Sequence, residues 1–248
     1  MPAAPSAIPI VTLVFALGGL AKGIAGMGLP TVAMGLLGLW MAPSDAAALI
    51  VVPSLVTNLW QYLSGRERLA IMRRTWSMLL MICFVTWAGA SLITGAEAAT
   101  ATLGLGVVLI LYATLGVTKI RLFVPPSYEA WLSPVVGALT GIITGATGVF
   151  VMPALPYLQA LGFDKDELVL VLGLSFTVST VALAAGLASH GAFHIANVGA
   201  SALCTVPALI GMRIGQMIRT RVEPATFRML FLISLLLLGA DLVVRSAF

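Results

Sequence analysis

Charge is what this chain has least of. Only 9% of its 248 residues are Asp, Glu, Lys or Arg, where soluble domains carry about 25%. So few charges cannot furnish a water-facing surface. With 60% hydrophobic residues and a mean hydropathy of +1.09, lipid is expected to surround most of the chain. The only two cysteines, Cys83 and Cys204, lie in apolar runs without metal-type spacing and read as small buried hydrophobes. No metal site and no cofactor are expected. No glycine-rich loop ending in Lys-Ser/Thr occurs, so the chain does not hydrolyse ATP. No His/Asp/Glu or Ser/His set falls within the apolar runs, which argues against a membrane-embedded enzyme. The net charge of +4 has no basic domain behind it, which removes nucleic acid as a partner. Met1 to Pro9 hold no Lys or Arg, so a cleaved secretory signal is not expected.

What is present is a series of long uncharged runs. A helix needs about 20 apolar residues to cross the hydrocarbon layer. Runs of that length separate the charges at 66–74, at Glu97, at Lys119 and Arg121, at 164–167 and at 213–228. None alternates polar with apolar residues, so all are read as helices rather than barrel strands. Two runs are too long for one crossing and carry internal breakers. Residues 9–40 contain Gly18, Gly19, Gly23, Gly26, Gly28 and Pro30; residues 130–161 contain Gly137, Gly141, Gly145, Gly148, Pro153 and Pro156.

These two runs open an internal repeat. Gly19-Leu-Ala-Lys-Gly23-Ile24 aligns with Gly137-Ala-Leu-Thr-Gly141-Ile142, which sets Thr140 opposite Lys22. Asp45, Leu49, Ser54 and Gly65 align with Asp166, Leu170, Ser175 and Gly186. Gly89-Ala-Ser-Leu aligns with Gly211-Met-Arg-Ile. The expected fold is an all-α polytopic membrane protein of two repeats. Each repeat is a glycine-broken segment, re-entrant or hairpin, followed by three transmembrane helices. The first repeat covers residues 1–118 and the second 130–248, with a cytoplasmic linker at 119–129.

Charge then decides the topology. If each half crossed four times, the halves would be parallel and Lys and Arg would divide seven to five between the two sides. If each broken segment enters and returns, the halves are inverted. Eleven Lys and Arg then share one side, Arg245 stands alone on the other, and Lys22 lies within the membrane. The second division obeys the positive-inside rule.

Inverted repeats with broken helices are the architecture of secondary transporters, which hold substrate near the midplane on half-helix ends and exposed backbone amides. Helix N-termini favour anions. Lys22 adds a full positive charge, and an ionisable residue inside the membrane is a functional candidate by default; the alternative is a lysine snorkelling to the interface or packed against carbonyls. Gly23, Gly26 and Gly28, with Gly145, Thr147 and Gly148, are candidates for backbone contact with a ligand. Simple helix packing is the alternative for the glycines. Asn58 and Gln61 follow Pro53, and Ser175, Thr177, Ser179 and Thr180 occupy the corresponding helix; these amides and hydroxyls either line a polar path or join helices. Of the polar residues, Asn58, Ser175 and Ser179 complete the candidate substrate set. His190 and His194 are candidates for proton coupling because histidine titrates near neutral pH.

The stretches Gly19-Leu-Ala-Lys-Gly-Ile-Ala-Gly-Met-Gly-Leu-Pro30 and Gly137-Ala-Leu-Thr-Gly-Ile-Ile-Thr-Gly-Ala-Thr-Gly148 resemble the TauE/SafE sulfite-exporter family. The His190-Gly191 turn and Gly211-Met-Arg-Ile-Gly215 are similar to its second half. The likeness runs from about residue 9 to 245, with fewer glycines after Gly28 and Gly148 than is usual. It implies a multi-pass permease of the bacterial cytoplasmic membrane, exporting sulfite, an organosulfonate or a related small anion. The partners would be that anion and the bilayer, and a homo-oligomer is compatible with it. A transporter of a cation or neutral solute, or a non-transporting assembly subunit, remains as an alternative.

Overall fold

The computed structural model describes residues 7–65, 67–95, 98–118, 123–193, 195–219 and 224–247. These form ten helices and, among the described residues, no strand. They are α1 (Ala7–Ala25), α2 (Leu29–Leu37), α3 (Pro43–Leu63), α4 (Arg68–Gly95), α5 (Ala98–Val117), α6 (Pro126–Thr147), α7 (Ala154–Ala160), α8 (Lys165–Ser189), α9 (Ile195–Ile218) and α10 (Pro224–Ala247). All but α2 and α7 are long and apolar enough to cross a membrane. The protein is a polytopic α-helical membrane protein. Helix α6 starts at Pro126, inside the stretch read from sequence as linker.

The breaks fall where backbone chemistry requires them. Helix α1 stops at Ala25, and Gly26 follows with φ +77°; α6 stops at Thr147, and Gly148 follows with φ +70°. A side chain in that left-handed region costs about 1–2 kcal/mol. Both glycine N–H groups donate backwards by four residues, Gly26 to Lys22 O and Gly148 to Thr144 O, each at 2.8 Å. Aligned on their breaks, the two segments pair Lys22 with Thr144, Gly19 with Gly141 and Gly23 with Gly145. The sequence alignment sets Gly137 opposite Gly19 and Thr140 opposite Lys22, one helical turn out of this register. Glycines recur every fourth residue from 137 to 145, so a slip of one helical turn preserves most matches.

Packing between helices is backbone against backbone. A Cβ on Gly19 would stand 2.0 Å from Ala208 O, one on Gly23 2.2 Å from Met212 O, and one on Gly211 2.0 Å from Ala16 O. Residue numbers rise together along this contact, so α1 and α9 are parallel. Helices α6 and α4 are parallel in the same way: a Cβ on Gly137 would meet Met78 O at 2.4 Å and one on Gly145 would meet Gly89 C at 2.5 Å. By contrast α3 and α8 are antiparallel, with Gly65 against Leu170 and Gly173 against Asn58 and Tyr62. Helices α5 and α10 are also antiparallel, Gly106 facing Gly239 and Val243 while Gly116 faces Leu232. Lipid supplies no hydrophobic drive between helices, so close approach over small residues holds such bundles together.

Pro53 illustrates how a missing backbone donor is handled. It lies inside α3 and cannot donate to Leu49 O, four residues earlier. Ser201 of α9 replaces it: its Oγ donates to Leu49 O at 2.7 Å and accepts from Val52 N–H at 3.0 Å. Ser201 itself is fully buried. Ser201→Ala leaves Leu49 O without a donor in an apolar setting, a cost of about 1–3 kcal/mol. Thermal unfolding in detergent is expected to begin several degrees lower for this variant, while Ser91→Ala, on the exposed face of α4, leaves the curve unmoved.

One burial expectation is corrected. Cys204 is buried, but Cys83 is exposed on the outer face of α4. Lipid is as apolar as the protein interior, so an apolar run does not say which of its faces points inward.

Candidate functional site

Lys22 sits in the last turn of α1 and is 2% exposed. Its Nζ donates to Asn58 Oδ1 of α3, a side chain that is itself completely buried. This burial excludes the snorkelling alternative, because the amino group points into the bundle. Around the pair is a concentration of polar atoms without partners among the described residues: Asn58 Nδ2, Ser54 Oγ and Gln61 Oε1 on α3, and Ser175 Oγ and Ser179 Oγ on α8. Ser54, Asn58 and Gln61 are spaced i, i+4, i+7, and Ser175 and Ser179 are spaced i, i+4, so each set occupies one helix face. The antiparallel register brings residues 175–179 to the level of residues 54–58. A buried polar atom left unpaired costs about 1–3 kcal/mol. Several of them on helices packed around one buried lysine make this cluster the candidate site.

The family model for the sulfite exporter TauE/SafE matches residues 11–242. The chain belongs to this family. No curated protein and no solved structure matches it. TauE/SafE proteins are membrane transporters, which places the Lys22 cluster in a transporter context.

In this TauE/SafE protein, only part of the residue set read from sequence is brought together. Lys22 and Asn58 are in contact, and Ser175 and Ser179 share their level. Gly26 is close by, its Cβ direction meeting Val169 Cγ2 of α8 at 3.7 Å, and Val169 O accepts from Gln61 Nε2 at 2.7 Å. Gly23 and Gly145 point their missing side chains at neighbouring backbone, so helix crossing alone accounts for both. Gly28 begins α2 with φ +111° and faces the Phe231 ring. Thr147 and Gly148 belong to the other break. There Thr147 Oγ1 donates to Ile143 O at 2.7 Å and accepts from Val149 N–H at 3.3 Å, while Gly148 is packed on Met34.

His190 stands apart from the cluster. It caps the far end of α8, its Nδ1 2.8 Å from Gly186 O and 3.2 Å from Ser189 Oγ. From the level of Ser175 that is 15 residues, about 22 Å along the helix. His194 lies outside the described residues. Among the described residues, no cluster of three or more His, Cys, Asp or Glu is arranged to hold a metal ion.

Two further buried hydroxyls lack a partner: Ser54, which enters the sequence reading only as a repeat match, and Thr31, in the first turn of α2, which it does not single out. The available signal was position: Thr31 follows Pro30 directly after the break, and Ser54 is one turn before Asn58.

Proposed function

We propose that this protein is a secondary transporter of the bacterial cytoplasmic membrane that exports a small anion, sulfite or an organosulfonate foremost. The observation that carries the reading is Lys22, a buried lysine held by Asn58 among unpaired polar atoms in a member of an exporter family. When protonated, Lys22 supplies charge to an oxyanion, and Asn58 Nδ2 with Ser54, Ser175 and Ser179 supplies hydrogen bonds. The first-turn amides of α2 have no helical acceptor and are suited to the same task.

The repeats are inverted in this reading, with residues 1–118 and 130–248 as the two units and 119–129 as the cytoplasmic linker. Three observations support it. Matched helices α3 and α8 are antiparallel, matched helices α5 and α10 are antiparallel, and the crossed pairs α1–α9 and α6–α4 are parallel. A two-fold axis in the membrane plane produces this pattern, whereas parallel repeats would leave matched helices parallel. The short α2 and α7 are the returning pieces, so α1 and α3 run the same way. The ends of α1 and α3 then share the side carrying residues 66–74, where Lys and Arg are dense. That side is the cytoplasm. Alternating access moves one part of this arrangement against the other around the Lys22 cluster.

The test is anion uptake into proteoliposomes containing the purified protein, with sulfite, a short organosulfonate, sulfate and acetate compared. Saturable flux of sulfite or the sulfonate, exceeding that of acetate, is the expected result. Flux of none of the four, in protein that remains monodisperse, overturns the anion reading and favours a cation or neutral solute.

A further inference from the structure

The two returning pieces are held very differently. Helix α7 is strapped to its surroundings. Arg74 of α4 donates from Nε and Nη2 to the two carboxylate oxygens of Glu129 on α6, at 2.8 and 2.9 Å. The same Nη2 donates to Leu161 O, just past α7, at 3.0 Å, and the guanidinium lies 4.5 Å from the centre of the Phe163 ring. Tyr157, within α7, shares a hydrogen bond with Ser133 of α6 at 2.7 Å and donates to Glu129 O at 3.4 Å. Ala160 O accepts from Val124 N–H at 3.0 Å. A bidentate guanidinium–carboxylate pair fixes geometry as well as adding energy.

Helix α2 has no such fastening. Among the described residues, no hydrogen bond or ion pair joins residues 29–41 to another helix; their backbone bonds stay within residues 28–41. Thr31, the one polar side chain of α2, is fully buried with its hydroxyl unpaired. What meets α2 away from α1 is side-chain tips: Leu238 and Leu109 at Gly35, and Phe231 at Gly28. Its joint to α1 holds two left-handed glycines, Gly26 and Gly28, where the α6–α7 joint holds Gly148 alone. Glycine turns through such conformations at no steric cost.

We infer that α2 is the moving element of the transport cycle, turning on Gly26 and Gly28, while the Arg74 strap keeps α7 and the α7–α8 turn in the fixed frame. The inference rests on the alternating-access reading and names the part that moves. Apolar contacts are non-directional and re-form after a short slide, whereas every bond of the strap is directional and would be lost. The hinge also reaches the candidate site. Gly26 N–H donates to Lys22 O, so a rotation at Gly26 pulls on the turn of α1 that carries the buried lysine.

Hydrogen exchange read by mass spectrometry, on the whole protein in lipid nanodiscs, compares the two pieces without any substrate. Amides of residues 31–37 are expected to exchange about tenfold or more faster than those of 155–160. Arg74→Gln should speed exchange over 155–163 by about threefold or more and leave 31–37 unmoved. A disulfide supplies the functional arm. The Cβ direction of Gly35 lies 3.4 Å from Leu238 Cγ, so Gly35→Cys/Leu238→Cys brings two thiols into bonding range. Gly116→Cys/Leu232→Cys has matching geometry, at 3.3 Å, and bridges α5 to α10 within the frame. Both pairs are placed in a Cys83→Ala/Cys204→Ala background. Ethanesulfonate is the probe, because sulfite cleaves disulfides. Oxidation of the α2–α10 pair is expected to abolish ethanesulfonate uptake into proteoliposomes, and dithiothreitol to restore it. The oxidised α5–α10 pair should keep its uptake.

Exchange at 155–160 as fast as at 31–37 overturns this inference. So does uptake that continues with the α2–α10 bridge closed, or uptake lost equally in both bridged proteins. No uptake in the unbridged protein instead overturns sulfonate transport, and the exchange comparison still decides which piece is held. It decides as well where a cysteine pair fails to fold.

Discussion

Lys22→Gln is expected to abolish measurable anion flux in protein that still folds. Glutamine keeps an N–H donor for Asn58 Oδ1, so the contact between α1 and α3 survives in neutral form. What is lost is the charge at the centre of the polar cluster. Hydrogen bonds to a charged group contribute about 1.5–3 kcal/mol, so transport efficiency should fall roughly 10- to 100-fold or beyond detection. Asn58→Leu should behave differently. It leaves a buried lysine with no partner, a defect of about 3–5 kcal/mol if the group stays charged. The expected outcome is poor yield and early melting, relieved in Lys22→Met/Asn58→Leu, where neither polar group remains. Flux in Lys22→Gln equal to wild type would assign Lys22 a structural role and remove it from the transport site.

The second large effect concerns stability. Gly23→Val and Gly211→Val place side chains where Met212 O and Ala16 O now stand, at 2.2 and 2.0 Å from the first added carbon. Overpacking a core costs about 1–3 kcal/mol when side chains can yield. Here the obstacle is backbone, so α1 and α9 must separate along their length and lose the contacts that hold them. Both variants are expected to aggregate on extraction or to melt well below the wild type in a detergent thermal-shift series. Gly199→Ala on the same α9 is the control, since nothing stands within 4 Å of its Cβ direction. Equal melting of all three would show that the α1–α9 crossing is looser than these contacts require.

The sequence by itself determined the setting and the breaks. Scarce charge and long apolar runs leave lipid as the only solvent, and lipid leaves helix as the form in which such runs satisfy their backbone. Gly26 to Pro30 and Gly148 to Pro153 stop helices through local stereochemistry, so both interruptions were legible without a fold. The clustering of Lys and Arg orders the loops for a similar reason, because each charge meets the membrane one at a time.

Tertiary structure decided the partnerships. Lys22 meets Asn58 across 36 positions, and Ser201 repairs the gap at Pro53 across 152 positions to Leu49. No local pattern marks either pair. Aligning the two breaks sets Thr144, rather than Thr140, opposite Lys22, since glycines at four-residue spacing match equally well one turn out of register. Gly23 and Gly145, open to a ligand in the sequence, are filled by neighbouring helices. Cys83 faces outward for the same underlying reason: core and lipid are equally apolar, so composition cannot tell a buried face from an outer one. Only the helix contacts separate the two.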